Sequence, residues 1–330
     1  MNIAIVILNW NGKSLLEQFM PSVVKYSKEA TVYLADNAST DDSIEFVKYT
    51  FPEVKIVKNE VNGGYAKGYN DALEKIDADV YCLLNSDVEV TQDWLVPIEE
   101  KFTTDSNIAA IQPKILDYKK KTHFEYAGAA GGYIDRLGYP YCRGRVFDTL
   151  EKDMGQYDDT TTIFWASGAC LFIRKQIFEE VGKLDEDFFA HQEEIDLCWR
   201  IYNQGYKIVY TGASVVYHLG GATLQVMNPK KTFLNFRNSL FLLLKNVPGN
   251  SVWFLLFMRM ILDGIAALRF ILKGKFLHFI AIFNAHMSFY MKFGLFIKKR
   301  RNLFRRGKYY SLFSVVWQYF ILKRKHFNQL

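Results

Sequence analysis

Cysteine is sparse in this 330-residue chain: four residues, Cys82, Cys142, Cys170 and Cys198, lie far apart with no metal-ligand or redox spacing. A zinc ribbon, a CxxC redox centre and a disulfide framework are thereby excluded, and the four read as reduced, mostly buried thiols of a cytosolic protein. The common nucleotide fingerprints are missing too. Asn62-Gly63-Gly64-Tyr65-Ala66-Lys67-Gly68 is neither G-x-G-x-x-G nor a Walker loop. No G-x-S-x-G elbow or Ser-His-Asp arrangement offers a nucleophile. No signal peptide is expected, because the apolar run from Ile3 to Leu8 is short and lacks a basic flank.

Acid is nearly absent from the last third. Residues 230–330 carry 19 Lys and Arg against one acid, Asp263, while the first 229 residues carry 22 against 34. The whole-chain charge of +6 conceals an acidic body and a basic, Phe- and Tyr-rich tail. An anionic membrane surface or nucleic acid could partner such a tail. No nucleic-acid-binding motif accompanies the charge, which favours the membrane.

What is present is a regular alternation, in a chain long enough for one large or two ordinary domains. Asn2 to Leu8, Thr31 to Ala35, Val54 to Val57 and Val80 to Leu84 read as strands. Helices are expected up to about Ser27, from the polar stretch Asp36 to Ser43, and over about Tyr65 to Lys75. Strand alternating with helix argues a parallel sheet with right-handed crossovers. The polar turns then share one edge, where ligands of open α/β sheets bind.

The fourth strand is the centre of the pattern. Val80 to Leu84 suits a strand buried on both faces, and Asn85-Ser86-Asp87 ends it in a carboxylate. Asn, Ser and Asp are also ordinary turn residues, so the surrounding pattern carries the assignment. A hard divalent cation takes oxygen ligands and keeps waters, so one carboxylate plus substrate phosphates can hold it. Asp87 is that carboxylate here, with Asn85 and Glu89 as helpers.

From Ile108 to Thr160 the glycines suggest hairpins and mobile loops. Phe164 to Ile173 reads as a strand, followed by a helix to about Val181. A further helix begins near Glu193-Glu194 and ends at Gly205. Neighbouring helical residues point about 100° apart, so at most one of these acids aims into a cleft. Asp196, four residues before Arg200, is expected to pair with it. A helix N-terminus lowers a carboxylate's pKa, whereas burial against Phe188, Phe189 and Trp165 would raise it. His218 follows a strand and precedes Gly220-Gly221, where it can be structural or complete a metal shell.

Eight stretches in this order resemble a family 2 glycosyltransferase of the GT-A fold, in its rhamnosyltransferase-like bacterial subgroup. They are Val6 to Gly12, Asp36 to Ser43, Asn62 to Asn70, Leu83 to Asp87, Trp165 to Cys170, Glu193 to Arg200, His218 to Gly221, and Phe236-Arg237-Asn238. The resemblance implies a Rossmann-like, mostly parallel α/β catalytic domain over residues 1–228. Its nucleotide-sugar half would be 1–105 and its acceptor half 106–228, followed by a helical membrane-associating region over 229–330. Asp36 would contact the nucleobase, and Asn9, Asn62, Gly63, Lys67, Asn70 and Asn85 would line nucleotide and sugar. Asp87 and His218 would hold Mg2+ or Mn2+, and Trp165, Gly168 and Arg237 would lie on the acceptor side. Glu194 stands where the family places its catalytic Asp, and being one methylene longer it leaves Glu193 open as the base. Asn85 replaces the first Asp of a strict DxD.

The implied reaction is inverting transfer of a hexose or deoxyhexose from a nucleotide-diphosphate sugar to a lipid-linked or polysaccharide acceptor. The place implied is the inner face of the cell membrane, with peripheral attachment. A processive synthase would carry a Q-x-x-R-W motif, absent here. A nucleotidyltransferase would need a Gly-rich, Arg-containing loop after the first strand, and Asn9-Trp10-Asn11-Gly12 is not one. A silent scaffold whose tail recruits partners is the rival of another class.

In the tail, Phe233 to Lys245 reads as a helix broken by Val247-Pro248-Gly249-Asn250. Ser251 to Leu272 has 22 residues, enough to span a bilayer. Its charges, Arg259, Asp263, Arg269 and Lys273, fall within one stripe of about 120°, which predicts an amphipathic helix lying in the interface. Phe276 to Met291 is uncharged but shorter than a span. Lys298 to Arg301 with Arg305-Arg306 form a polybasic cluster, and Tyr309 to Lys325 a further aromatic, basic-ended segment.

Overall fold

The computed structural model describes residues 1–220 and 228–330. Gly221, the last residue of the stretch singled out after His218, lies outside them. The first four strands are β1 (Ile3–Asn9), β2 (Thr31–Asp36), β3 (Lys55–Lys58) and β4 (Val80–Asn85). They pair in parallel in the order β4-β1-β2-β3. Helices α1 (Lys13–Tyr26), α2 (Ser43–Thr50) and α3 (Gly64–Leu73) cross over between them. Covered on both faces, β1 and β4 bury nearly every side chain, hence their unbroken apolar runs. Register brings Asn9 opposite Asp36 and Leu8 opposite Asn85, which sets three polar side chains along one rim.

A turn through Ser86 and Asp87 leads from β4 into β5 (Val88–Val90) and α4 (Val96–Thr104). Then come β6 (Ile108–Asp117) and a small antiparallel sheet of β7 (Gly132–Ile134), β8 (Pro140–Cys142), β9 (Arg145–Val146) and β10 (Thr149–Leu150). That sheet is the hairpin region expected from the glycines. Next are β11 (Thr160–Ile163), β12 (Cys170–Arg174), α5 (Lys175–Glu180), α6 (Glu193–Gln204) and β13 (Lys207–His218). β12 runs antiparallel between β4 and β6; β13 runs parallel to β6 and takes β5 and β11 antiparallel. The large sheet is therefore mixed, with nine strands.

Residues 164–173 do not form one strand as expected. The backbone N–H groups of Phe164 and Trp165 both donate to the Gly132 carbonyl, and that of Ser167 to Gln112 Oε1. These bonds fold 164–169 over the small sheet, so the strand begins only at Cys170.

The last hundred residues are α7 (Pro229–Asn246), α8 (Ser251–Leu272), α9 (Phe276–Arg301) and an irregular return. α7 is no appendage: residues 240–244 are buried in the same core as α6 and the sheet. Behind that contact Asp196 is fully buried against Arg200 at 2.8 Å, Lys245 Nζ at 2.8 Å and Asn246 Nδ2 at 2.8 Å. Burial alone would raise the Asp196 carboxyl, but the Arg200 and Lys245 charges hold it below its ordinary value. Asp196 thus pairs with Arg200 as expected, and α7 completes the cluster.

Of the four charges in the α8 stripe, two are buried and two, Arg269 and Lys273, stay exposed. Arg259 and Asp263 point inward: they pair at 3.0 Å, Arg259 lies over Tyr139 and reaches the carbonyls of Leu137 and Gly138, and Asp263 meets His286 of α9. Exposed on α8 are Phe254, Phe257, Ile261, Ile265, Leu268 and Leu272, an apolar row at helical spacing, together with Trp253, Ile271 and the charged Arg269. The buried polar stripe satisfies itself against loop carbonyls, which leaves the apolar side outward.

α9 also runs on past Met291 to Arg301, and among the described residues it is the one helix long and apolar enough to cross a membrane. Its basic end is partly engaged. Lys299 binds Asp185 and Asp187, and Arg300 caps the carbonyls of Leu244, Val247 and Gly249. The expected polybasic cluster therefore offers fewer free charges than its sequence suggests.

Removing Asp196 would leave Arg200 and Lys245 as buried, uncompensated cations. Asp196→Ala is expected to destabilise the fold by about 3–5 kcal/mol, measured by denaturant unfolding; a loss below about 1 kcal/mol would contradict this account of the α6–α7 contact.

Candidate functional site

The rim of β1 and β2 is a web of short polar side chains. Asn9 Nδ2 donates to Asp36 Oδ1 at 3.2 Å and to Ser39 Oγ at 3.1 Å, and the Ser39 backbone N–H donates to Asp36 Oδ2 at 3.0 Å. Asn37 Nδ2 donates to Asn62 Oδ1 at 2.9 Å and to the Gly64 carbonyl at 3.1 Å. Asn62 in turn accepts the Gly64 backbone N–H at 3.0 Å. Asp36, Asn37 and Asn9 are buried, and Asn9 Oδ1 has no partner. This web seats the loop that opens α3.

At the end of β4, Asp87 is buried rather than turned to solvent. Its Oδ1 lies 3.1 Å from His218 Nε2, and His218 Nδ1 lies 3.2 Å from Glu125 Oε2. Asn85 Nδ2 is 3.5 Å from the same Nε2. Burial would push the His218 ring down, but the Asp87 and Glu125 carboxylates outweigh it and raise it to about 10. The site therefore favours positive charge between the carboxylates. An oxygen from Asp87 and a nitrogen from His218 suit Mn2+ or Mg2+, with further positions left for phosphate oxygens and water. Among the described residues no three His, Cys, Asp or Glu side chains form a ready-made cage. The protein's share of such a shell is two donors. Glu89 is not a third, because it pairs with Lys121.

The acid pair lies at the start of α6. Glu193 is buried and Glu194 half-buried, and one carboxyl oxygen of each is sealed from water with no hydrogen-bond partner. Burial raises Glu193 well above the ordinary range, with the Glu194 charge adding to it. Burial likewise raises Glu194, to about 7, against opposing backbone N–H donors at the helix start. Burial wins over the helix N-terminus. Burial and the neighbouring charge thus both disfavour ionising the two acids together, and the pair titrates as a unit.

The loop before these acids is held in an uncommon shape. Phe189, His191 and Gln192 have φ of 66°, 69° and 72°, each costing about 1–3 kcal/mol for a residue with a side chain. Asn238 of α7 holds it by donating to the carbonyls of Phe188 at 3.0 Å, Ala190 at 2.9 Å and His191 at 2.7 Å. Arg237 donates to the carbonyls of Phe188 at 2.9 Å and Asp187 at 3.3 Å.

Tyr65 joins the parts. Its backbone N–H donates to the Phe189 carbonyl at 3.0 Å and its hydroxyl to the Gly168 carbonyl at 2.8 Å. The neighbouring Ala169 carbonyl accepts the Asn85 backbone N–H at 3.0 Å. Gly64 has φ of +78°, and a Cβ there would come within 2.8 Å of the Phe189 carbonyl, so only glycine lets these loops close.

Asp36, Asn62, Gly63, Asn85, Asp87, His218, Glu193 and Glu194 therefore belong to connected loops on one rim. Four further expected site residues make contacts of their own. Lys67 is turned to Asp71 at 2.8 Å on the surface of α3. Asn70 straps α3 to the segment before the acids, through the Leu184 carbonyl at 2.9 Å and Glu186 Oε1 at 3.0 Å. Trp165 is buried, with its indole N–H on the Tyr133 carbonyl at 2.9 Å, and Arg237 is buried as a loop clamp. Two groups, buried Glu125 and half-buried His191, were missed by sequence reasoning. Glu125 is a lone acid in a Gly- and Ala-rich stretch, which is its only signal. His191, pushed down to about 4 by burial and by Lys231, is neutral at pH 7, and its Nε2 has no partner.

Comparison with known proteins adds the following. The model of the family described as "Glycosyl transferase family 2" matches residues 4–182. An N-acetylglucosaminyl-diphospho-decaprenol L-rhamnosyltransferase of Mycobacterium tuberculosis is 25% identical over 285 residues, 80% of this chain and 90% of that protein. The low-salt glycan biosynthesis hexosyltransferase Agl10 of Haloferax volcanii is 22% identical over 213 residues, 63% of this chain and 64% of that one. Among solved structures, GalNAc-T7 with UDP, GalNAc and Mn2+ superposes with a TM-score of 0.58 at 18% identity, over 74% of this chain and 48% of that one. The mannosyltransferase PcManGT of Pyrobaculum calidifontis, in complex with GDP-Man and Mn2+, gives 0.53 at 12% identity, over 91% and 84%. At such identities the structures speak for the fold, which is GT-A.

The raised Glu194 carboxyl generates a titration. Carbon-13 NMR of glutamate-labelled protein is expected to show one carboxyl with a midpoint near pH 7, absent in Glu194→Gln. A Glu194 midpoint at the ordinary value of about 4.3 would contradict the burial described here.

Proposed function

This chain belongs to glycosyl transferase family 2, and from that premise we propose that it is an inverting, divalent-metal-dependent transferase acting on a lipid-linked acceptor. Sugar transfer from a nucleotide-sugar is the family's activity. A deoxyhexose such as rhamnose is the first candidate, in keeping with the Mycobacterium relative's printed activity.

The observation that carries the reading is the buried acid pair of α6, connected through Tyr65 and Gly168 to the carboxylate end of β4. Glu194, ionised in part at neutral pH, takes the proton of an acceptor hydroxyl as that oxygen attacks the anomeric carbon. The sugar's bond to the diphosphate breaks on the opposite face, configuration inverts, and the proton stays on Glu194. Glu193, whose carboxyl burial and the Glu194 charge raise further, is the poorer candidate for the ionised base. Asp36 and the Asn9–Asn37–Asn62 web face the nucleoside. Asp87 and His218 would hold Mg2+ or Mn2+, which supplies charge neutralisation to a departing diphosphate. Arg237 and Asn238 position the base loop, and His191 offers a neutral hydrogen-bonding group beside it.

The tail supports the acceptor class. The outward apolar rows of α8 and of α9, the latter through Phe276, Ile280, Phe283, Met287 and Met291, are exposed on a strongly basic segment. An apolar face this large on a cationic surface fits the interface of an anionic bilayer. In this reading residues 1–228 catalyse and 229–330 attach them peripherally to the inner face of the cell membrane, with α7 shared between both. Nucleic acid has no role.

Three outcomes test this. Asp87→Ala is expected to abolish transfer, and near-wild-type turnover would reject the assignment. Glu194→Gln should lose about 10²–10⁴-fold in kcat while Glu193→Gln, close in shape to the protonated acid, keeps most of it; the reverse order would move the base to Glu193. Finally, the protein should float with anionic vesicles at low salt, and Phe257→Asp with Leu268→Asp should release it. Wild type remaining wholly in the soluble fraction would count against attachment.

A further inference from the structure

We infer that Glu125 is a positioning residue for the cation site, holding the His218 ring so that its Nε2 faces Asp87. The inference rests on the metal-assisted reading above.

The topology makes the contact. His218 ends β13, opposite Val88 of β5 on one side and Asp117 of β6 on the other. It is therefore flanked by the turn carrying Asp87 and by the connection after β6 carrying Glu125. Backbone bonds fasten both: Leu219 N–H to the Asp87 carbonyl at 3.0 Å, and Tyr118 N–H to the His218 carbonyl at 3.0 Å.

Glu125 is itself held in place. Its backbone N–H donates to the Ile115 carbonyl at 3.1 Å, and its Oε2 accepts the Ala127 N–H at 2.5 Å. On the far side Gly220, at φ of +65°, would carry a Cβ within 2.8 Å of Glu125 Oε1, so the chain has no side chain where the carboxylate sits. Glu125, His218 and Asp87 are 5%, 5% and 6% exposed. Among the described residues His218 Nδ1 is buried without an aligned hydrogen bond, and the Glu125 carboxylate lies 3.2 Å from it.

A neutral imidazole has one N–H and one lone pair. Carboxylates lie near both ring nitrogens, 3.2 Å from Nδ1 and 3.1 Å from Nε2; a cation seated beside Asp87 would replace the proton on Nε2, and the Glu125 carboxylate would keep the remaining N–H on Nδ1. The same charge makes Nε2 a better donor. Carboxylate–histidine pairs behind metals work in this way, and breaking one costs about 10–100-fold in metal affinity.

Mn2+ titrated into the full chain and followed by electron paramagnetic resonance reads this directly, without turnover. Glu125→Gln, which keeps the shape and removes the charge, should weaken Mn2+ about 10–100-fold, with Glu125→Asp between it and wild type. Glu125→Gln combined with His218→Ala should bind no more weakly than His218→Ala alone, since one acts through the other. Circular dichroism separates misfolded variants, and Glu125→Asp carries the test if Glu125→Gln does not fold. Wild-type affinity in Glu125→Gln, or additive losses in the double variant, would overturn the positioning role while leaving the metal reading standing. Mn2+ binding indifferent to both Asp87→Ala and His218→Ala would overturn the metal reading, and this inference with it.

Discussion

The removal of two carboxylates from water at the start of α6 is the constraint on which the rest of this structure depends. A solvated acid there, at a helix N-terminus, would be a weak base. Burial raises Glu194 to about 7. The loop 189–192 that leads into the acids is bent through three left-handed residues, and Asn238 of α7 holds it through the carbonyls of Phe188, Ala190 and His191. The order of dependence runs from acid to loop to α7. α7 is fixed in turn by the core it shares with α6 and by the ions around Asp196.

This order changes the meaning of the tail. Lys292 and Lys299 of α9 bind Asp187 and Asp185, and Lys245 of α7 binds Asp185. The helices that turn an apolar face outward are thus the same helices that brace the segment leading to the acids. α8 turns Arg259 and Asp263 inside, where they satisfy each other and nearby carbonyls. The outward apolar face and the loop before the acid pair are thus coupled through the same ion pairs.

The parallel half of the sheet was legible in the sequence because β1 and β4 are covered on both faces and therefore read as unbroken apolar runs. Asp87 was legible because it follows such a run. Where the reading failed, a long-range contact had decided the outcome. Residues 164–169 look like a strand until the Gly132 carbonyl draws their N–H groups aside. The stripe of charges on α8 does not say which of them turns inward until Tyr139 and the Leu137 and Gly138 carbonyls supply a buried partner surface for Arg259. Lys67, Asn70 and Arg237 were assigned from their place in the motifs, but a motif does not say which way a side chain turns. Glu125 was invisible because the residue it serves lies 93 positions away in the chain.

The central claim is that the loops after β1, β2 and β4 and the loop before α6 form one nucleotide-sugar site. Hydrogen–deuterium exchange, with a panel of uridine, guanosine and thymidine diphosphate sugars and Mn2+, tests it most directly. At least one donor should protect residues 36–43, 62–70, 85–89 and 187–194 together, and only when Mn2+ is present. Protection confined to other segments, or none with any donor, would contradict the account.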